Sequence, residues 1–246
     1  MTKSITRAGW DHAPHIDEAT KRELLASFPE SERKARTQGE PVLGSGLVLP
    51  VDQEVFVCAP IPIAPHWPRI CGVDFGWDHP AAASWLAWDR DADIVYVTDC
   101  WRMRETTPAQ QAPHIISKGP WIPVAWPHDG LQHDKGSGDQ LANLYRAAGV
   151  NMLTRQATWP DGGNSVEAGV ADIIQRMQSG RWRVFVTCGP WLDEHRTYHR
   201  KNGVIVKKLD DVISSSRYAL MSLRYAKTRQ LESPVKTPVR YGIAGY

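Results

Sequence analysis

The chain has 246 residues, 42% hydrophobic, 23% charged and 9% aromatic, with a formal net charge of +2. That describes a globular chain able to bury a full core, and its aperiodic glycines and prolines exclude collagen-like and disordered classes. With no apolar run of about 18 residues, no apolar secretion signal and four cysteines (Cys58, Cys71, Cys100, Cys188) lacking disulfide or zinc spacing, the expectation is a protein of the cytoplasm, neither secreted nor in a membrane.

Residues 1–66 read as a leading helical and extended segment with a linker. Asp17 caps a helix carrying Ala19, Leu24 and Leu25, and a charged helix fits Glu30–Thr37. GEPVLGSGLVLPVD follows as a linker or short extended arm, then PIPIAPHWP (60–68) as a stiff lead-in. RICGVDFG, AAASWLAWD and DIVYVTDCW predict a three-stranded meander over 69–101. A helix from Thr107, with Pro108 early and Pro113 as its limit, precedes the short strand IPVAW (122–126). Beyond it come a helix in GDQLANLYRAAG, a strand in VNMLT and a helix from Asn164 to Gly180. The stripe of that helix is Val166, Val170, Ile173, Ile174 and Met177. WRVFVT reads as a strand, WLDEHRTYHR as a helix, GVIVK as a short strand, and DDVISSSRYALMSLRYAK as a last helix burying Val212, Ala219, Leu220 and Leu223. Residues 67–228 thus predict an α/β domain, a mixed sheet with helices on both faces in the order of RNase H-like folds, and 229–246 a flexible tail.

Lysine and arginine gather at 21–36, 181–183, 196–208 and from Arg217 onward, whereas the first half of the core is nearly neutral and in places acidic. Such a division suits a metal-holding site beside a phosphate-tracking surface; solvated faces are the alternative. Asp74 lies inside a strand between Val73 and Phe75, where a carboxylate must face solvent, the core or a cation. Asp129 ends the strand IPVAWP, where open sheets place functional groups, or makes an Asp-Gly turn. Asp210 and Asp211 open the last helix, where acids also serve as caps. Gathered at one sheet end, these carboxylates would repel, and divalent cations with oxygen ligands relieve that repulsion. Two ions about 4 Å apart activate water and stabilise the leaving oxygen in phosphodiester hydrolysis, with Asp74 bridging and Asp129 and Asp211 to either side.

Glu167, His128 and Lys135 are accessory candidates: a contact to metal-bound water, a proton-transfer aid and a phosphate contact. His133 and Asp134 read as loop residues, with His133 sharing the proton-transfer candidacy. His195 and His199 share a helix face at i, i+4 but lack an H-E-x-x-H pattern or third ligand, so a solvated face is expected. Trp77 lies beside the acids as a groove-shaping candidate.

Taken in order, VDFGWDHPAAASWLAWD, WPHDG, NSVEAG…MQSGRWRV and DDVISSSRYAL resemble the nuclease domain of tailed-phage terminase large subunits. The resemblance covers roughly 39–226, and GEPVLGSGLVLP is similar to the linker joining the packaging ATPase to that nuclease. It implies an RNase H-like domain cutting concatemeric double-stranded DNA with Mg²⁺ or Mn²⁺, partnered by the ATPase domain, portal protein and small terminase subunit at the procapsid. Asp74 matches the first acid and Asp129 the second. Where many relatives carry an acid four or three residues before the Arg217-Tyr218 pair, Ile213 and Ser214 stand here, so the third is Asp211, with Asp210 the alternate. No G-x-x-x-x-G-K-[ST] loop occurs, so P-loop ATP hydrolysis is not expected of this chain, which reads as the carboxyl-terminal half of a longer motor. A resolvase- or integrase-type nuclease, or a docking module whose acids only cap and turn, are the alternatives.

Overall fold

The computed structural model describes residues 9–27, 33, 37–38, 46–132 and 138–229. Its strands are β1 (Val57–Cys58), β2 (Arg69–Asp74), β3 (Ala81–Asp89), β4 (Ile94–Met103), β5 (Val124–Ala125) and β6 (Trp182–Phe185), with a separate hairpin of β7 (Arg200–Lys201) and β8 (Val204–Ile205). The helices are α1 (Glu18–Ser27), α2 (Gln53–Phe56), α3 (Pro108–Ile116), α4 (Leu141–Ala147), α5 (Val166–Gln178), α6 (Gly189–Thr197) and α7 (Asp211–Met221). The six-stranded sheet runs β1-β6-β4-β3-β2-β5. β2, β3 and β4 form the antiparallel meander, while β5 lies parallel to β2 and β6 parallel to β4.

Period-two alternation divides the sheet between two cores. Ile70, Ala82 and Leu86 face one side, with α5, α6 and α7; Cys71, Val73, Ala83 and Trp85 face the other, with α3 and α4. Both faces are covered, so β3 reads as an almost unbroken apolar run.

α7 lies so close to β2 that only glycine fits between them. A Cβ on Gly72 would strike the Ser215 carbonyl oxygen and come within 2.8 Å of Ala219 N. Serines supply the polar seam: Ser84 Oγ donates to the Val212 carbonyl at 3.0 Å and lies 2.7 Å from Ser215 Oγ.

Several expectations are corrected. Val48, Leu49, Val51 and Phe56 join the main core, so the stretch read as a linker is partly built into the sheet domain; the apolar run LVLPV could have signalled this. Pro113 does not end α3. It and Ala109, whose carbonyl its ring displaces from hydrogen bonding, are exposed, so water can take the carbonyl. VNMLT contributes only a bridge of Met152 to Val124, and the last helix stops at Met221 before a 3-10 turn. His199 lies beyond α6, so the two histidines do not share a helix, and His195 is buried in the core between Phe56 and Trp191 rather than solvated. Most of the helix expected at Glu30–Thr37, residues 39–45, Lys135 with His133 and Asp134, and the tail beyond 229 lie outside the described residues.

Candidate active site

The sheet brings the predicted acids to one end. Asp74 is the last residue of β2, paired with Ala82. In the parallel register Gly72 faces Ala125, so β5 delivers its following turn, His128–Leu131, just past Asp74. Asp129 sits exposed in that turn, held by Gln132 Nε2 at 3.4 Å. From the opposite side α7 starts at the same end, since its Ser215 and Ala219 lie against Gly72 farther back along the strand. Asp210 stands at the N-cap position of that helix, and Asp211 is its first residue.

Electrostatics tie these groups together. Burial, then the charges of Asp211 and Asp210, push the Asp74 carboxyl well above the ordinary aspartate range; Arg217 pulls it down and Asp129 adds to the rise. Burial followed by Asp211 also raises Asp210. Arg217 is a buried cation on α7, stacked 4.5 Å over the Tyr218 ring. Tyr218 is pushed up to about 12, by burial and then by Asp74. Asp129, Asp210 and Asp211 therefore lie within electrostatic reach of Asp74.

One oxygen is orphaned. Asp211 is 5% exposed; its Oδ1 lies 3.1 Å from His79 Nδ1, while its Oδ2 is buried with no hydrogen-bond partner. A buried carboxylate oxygen left unpaired is unfavourable by a few kcal/mol unless a cation meets it. Among the described residues no three His, Cys, Asp or Glu side chains enclose an ion as they are placed. Binding one would require side chains of the acids to rotate inward, while Asp211 already holds Oδ2 without a partner. The all-oxygen set of Asp74, Asp129, Asp210 and Asp211 suits a hard divalent cation such as Mg²⁺ or Mn²⁺.

Three neighbours of the acids carry weak sequence signals. His79 returns over the site through a tight turn at Gly76, where a Cβ would lie 2.6 Å from the Pro80 carbonyl oxygen. Arg217 was visible only as half of an Arg-Tyr pair. Glu194, on α6, is 1% exposed: its Oε2 accepts from the amides of Val212 at 2.8 Å and Ile213 at 3.0 Å, and its Oε1 from Arg102 Nη1 at 3.2 Å. Burial raises Glu194 to about 7, the amides opposing and Asp211 reinforcing the shift. Its sequence context showed only a helix.

The accessory candidates are not all brought in. Glu167 is held at the surface by Arg200, whose Nη2 lies 2.6 Å from its Oε2. His128 is exposed in the turn beside Asp129, and Trp77 is exposed on the loop after β2. Between α6 and α7 stands the β7–β8 hairpin, closed by Asn202 and Gly203 at φ 51° and 78°, the signature of a tight type I′ turn. It presents exposed Lys201, and the chain leaving it presents Lys207 and Lys208 just before Asp210.

Comparisons with known proteins point to one family. The family model described as the terminase RNaseH-like domain matches residues 71–223. The large terminase subunit of Salmonella phage P22 is 43% identical over 240 residues, covering 94% of this chain and 48% of that protein. The large subunit of Enterobacteria phage LP7 is 46% identical over 210 residues, covering 85% of this chain and 44% of its own length. This chain therefore spans about half the length of the curated relatives it matches. The solved nuclease domain of the P22 large terminase superposes with a TM-score of 0.70 at 45% identity, over 75% of this chain and 95% of that one. The large terminase of a thermophilic bacteriophage shares the fold at 14% identity, with a TM-score of 0.57 over 88% of this chain and 55% of its own. By the family model and by identity to these relatives, the chain belongs to the terminase RNaseH-like domain family.

Proposed function

We propose that this domain is a divalent-metal-dependent endonuclease that cuts double-stranded DNA during viral genome packaging. The observation that carries the reading is the convergence of Asp74, Asp129, Asp210 and Asp211 on one end of the sheet, with a buried, unpaired oxygen on Asp211. An anionic cup repels a phosphodiester; it becomes a phosphodiester site only with cations between the acids and the phosphate. The 45% identity to the P22 nuclease domain supports the same reading.

Asp74 would hold the cation centrally, with Asp129 on the exposed side and Asp211, or Asp210 as its alternate, as the third ligand. Bound there, a divalent ion supplies Lewis-acid stabilisation and a water of lowered pKa. The chain's own residues do the rest. The positive end of the α7 dipole steadies the acids at its first turn. Lys201, Lys207 and Lys208 draw the DNA backbone by charge, which positions a duplex without reading its sequence. The packaging ATPase, the portal and the small terminase subunit are the proposed partners, in the host cytoplasm at the procapsid.

Plasmid nicking in Mn²⁺ or Mg²⁺ tests the proposal. Wild type is expected to nick in either metal and to stop in EDTA, and Asp74→Asn to be inactive while folded. Cutting by Asp74→Asn at the wild-type rate would overturn it. Folded wild-type protein that takes up no Mn²⁺ at millimolar concentration would favour a docking module instead.

A further inference from the structure

Helix N-termini leave backbone amides unpaired, and the N-cap side chain ordinarily accepts from the second or third of them. In α7 the N-cap is Asp210, yet its carboxylate makes no capping bond. It instead lies 3.4 Å from Ser214 Oγ, and Asp211 turns one oxygen to His79 and leaves the other unpaired. The two amides that Asp210 would cap, those of Val212 and Ile213, both donate to Oε2 of Glu194, which lies 18 and 19 positions earlier in the chain. A carboxylate from another helix thus does the work of the cap.

We propose that Glu194 is the positioning residue of the site: by capping α7 from α6, it frees the carboxylates of Asp210 and Asp211 for the cation and fixes the first turn that carries them. The inference rests on the metal-dependent reading above. Its geometry is well braced. Glu194 is almost fully buried, and Arg102 on β4 grips its second oxygen, tying the cap to the meander that also carries Asp74. Both ends of the site are thereby referred to one rigid sheet. A side chain that orients a metal ligand typically changes metal affinity about 10- to 100-fold when altered.

The two oxygens of Glu194 have different duties, so conservative variants separate position from charge. Glu194→Gln retains an oxygen of the same reach for the two amides and loses the charge and the Arg102 pair. Glu194→Asp retains the charge but withdraws the accepting oxygen by one methylene. Mn²⁺ affinity by titration calorimetry, with hydrogen exchange of the Val212 and Ile213 amides, reads both effects apart from catalysis.

The expectation is that Glu194→Asp loses roughly 10-fold in Mn²⁺ affinity and exchanges those amides faster, while Glu194→Gln stays within about 3-fold of wild type. Glu194→Asp with wild-type affinity would overturn the proposal. So would Glu194→Gln falling as far as Glu194→Asp, since charge rather than position would then be what matters. If wild type itself binds no Mn²⁺, the metal reading fails first and this inference falls with it, whereas failure of the inference alone leaves wild-type binding and nicking intact.

Discussion

A methyl group placed at Gly72 should disturb both the fold and the site, and by different amounts. Gly72→Ala sets a carbon onto the Ser215 carbonyl oxygen and 2.8 Å from Ala219 N, both backbone atoms of α7 that no rotamer change can move aside. Carbon–oxygen contacts begin at about 3.3 Å, so strand and helix must part by roughly 1 Å. Overpacking of this kind costs about 1–3 kcal/mol, and the rigidity of the partner atoms places this case near 3. For a domain of this size that lowers the melting temperature by about 6–12 °C. The same displacement carries Asp210 and Asp211 away from Asp74, and 1 Å of misplacement can remove about 100-fold of activity. Thermal unfolding monitored by tryptophan fluorescence gives the first quantity; nicking at about 20 °C, where the variant stays folded, gives the second. An alanine variant with unchanged melting and full nicking would refute the idea that strand and helix meet without slack.

Three other expectations follow from the described contacts. His195 is held neutral, at about 4, by burial, so the unfolded chain takes up its proton first as pH falls. Stability from this group is complete above about pH 6.5 and declines towards pH 4, by about 3 kcal/mol, and urea titrations of His195→Phe should show a flatter acid limb than wild type. Glu167→Gln removes only a surface ion pair with Arg200, so nicking within about twofold of wild type and a stability change below about 1 kcal/mol are expected; a tenfold loss of nicking would place Glu167 in the site after all. Replacing Lys201, Lys207 and Lys208 together by alanine should weaken DNA binding and lower the salt slope, log K against log salt, by roughly 2 to 3; an unchanged slope in a fluorescence-anisotropy titration would remove them from the DNA path.

What was readable in the sequence follows from the range of the forces involved. The meander announced itself because period and turn chemistry act over a few residues, and Asp74 stood out as a charge where the local pattern demanded an apolar side chain. The helix cores of α5 and α7 were legible for the same reason. Asp210 was ambiguous, because a helix-opening acid looks like a cap whether or not it caps; only the distant Glu194, reached through the fold, resolves it. His79 and Arg217 escaped because their meaning lies in which carboxylate they approach. The β7–β8 hairpin is different: Asn202-Gly203 is a strong local signal between two short strands, and could have been used. His195 was misplaced because a polar residue on a helix says nothing about the aromatic rings packed on both sides of it.

The segment at Val48–Phe56 sets a practical limit on how this domain can be handled. Val48, Leu49, Val51 and Phe56 fill space in the same core as Val184, Trp191 and Leu192. A gene fragment begun at the proline-rich stretch or at the edge of the family match would omit all four, exposing a greasy trough along α6 and β6. Such a product should clump or fail to accumulate in soluble form, whereas one begun upstream of Leu47 keeps that trough sealed.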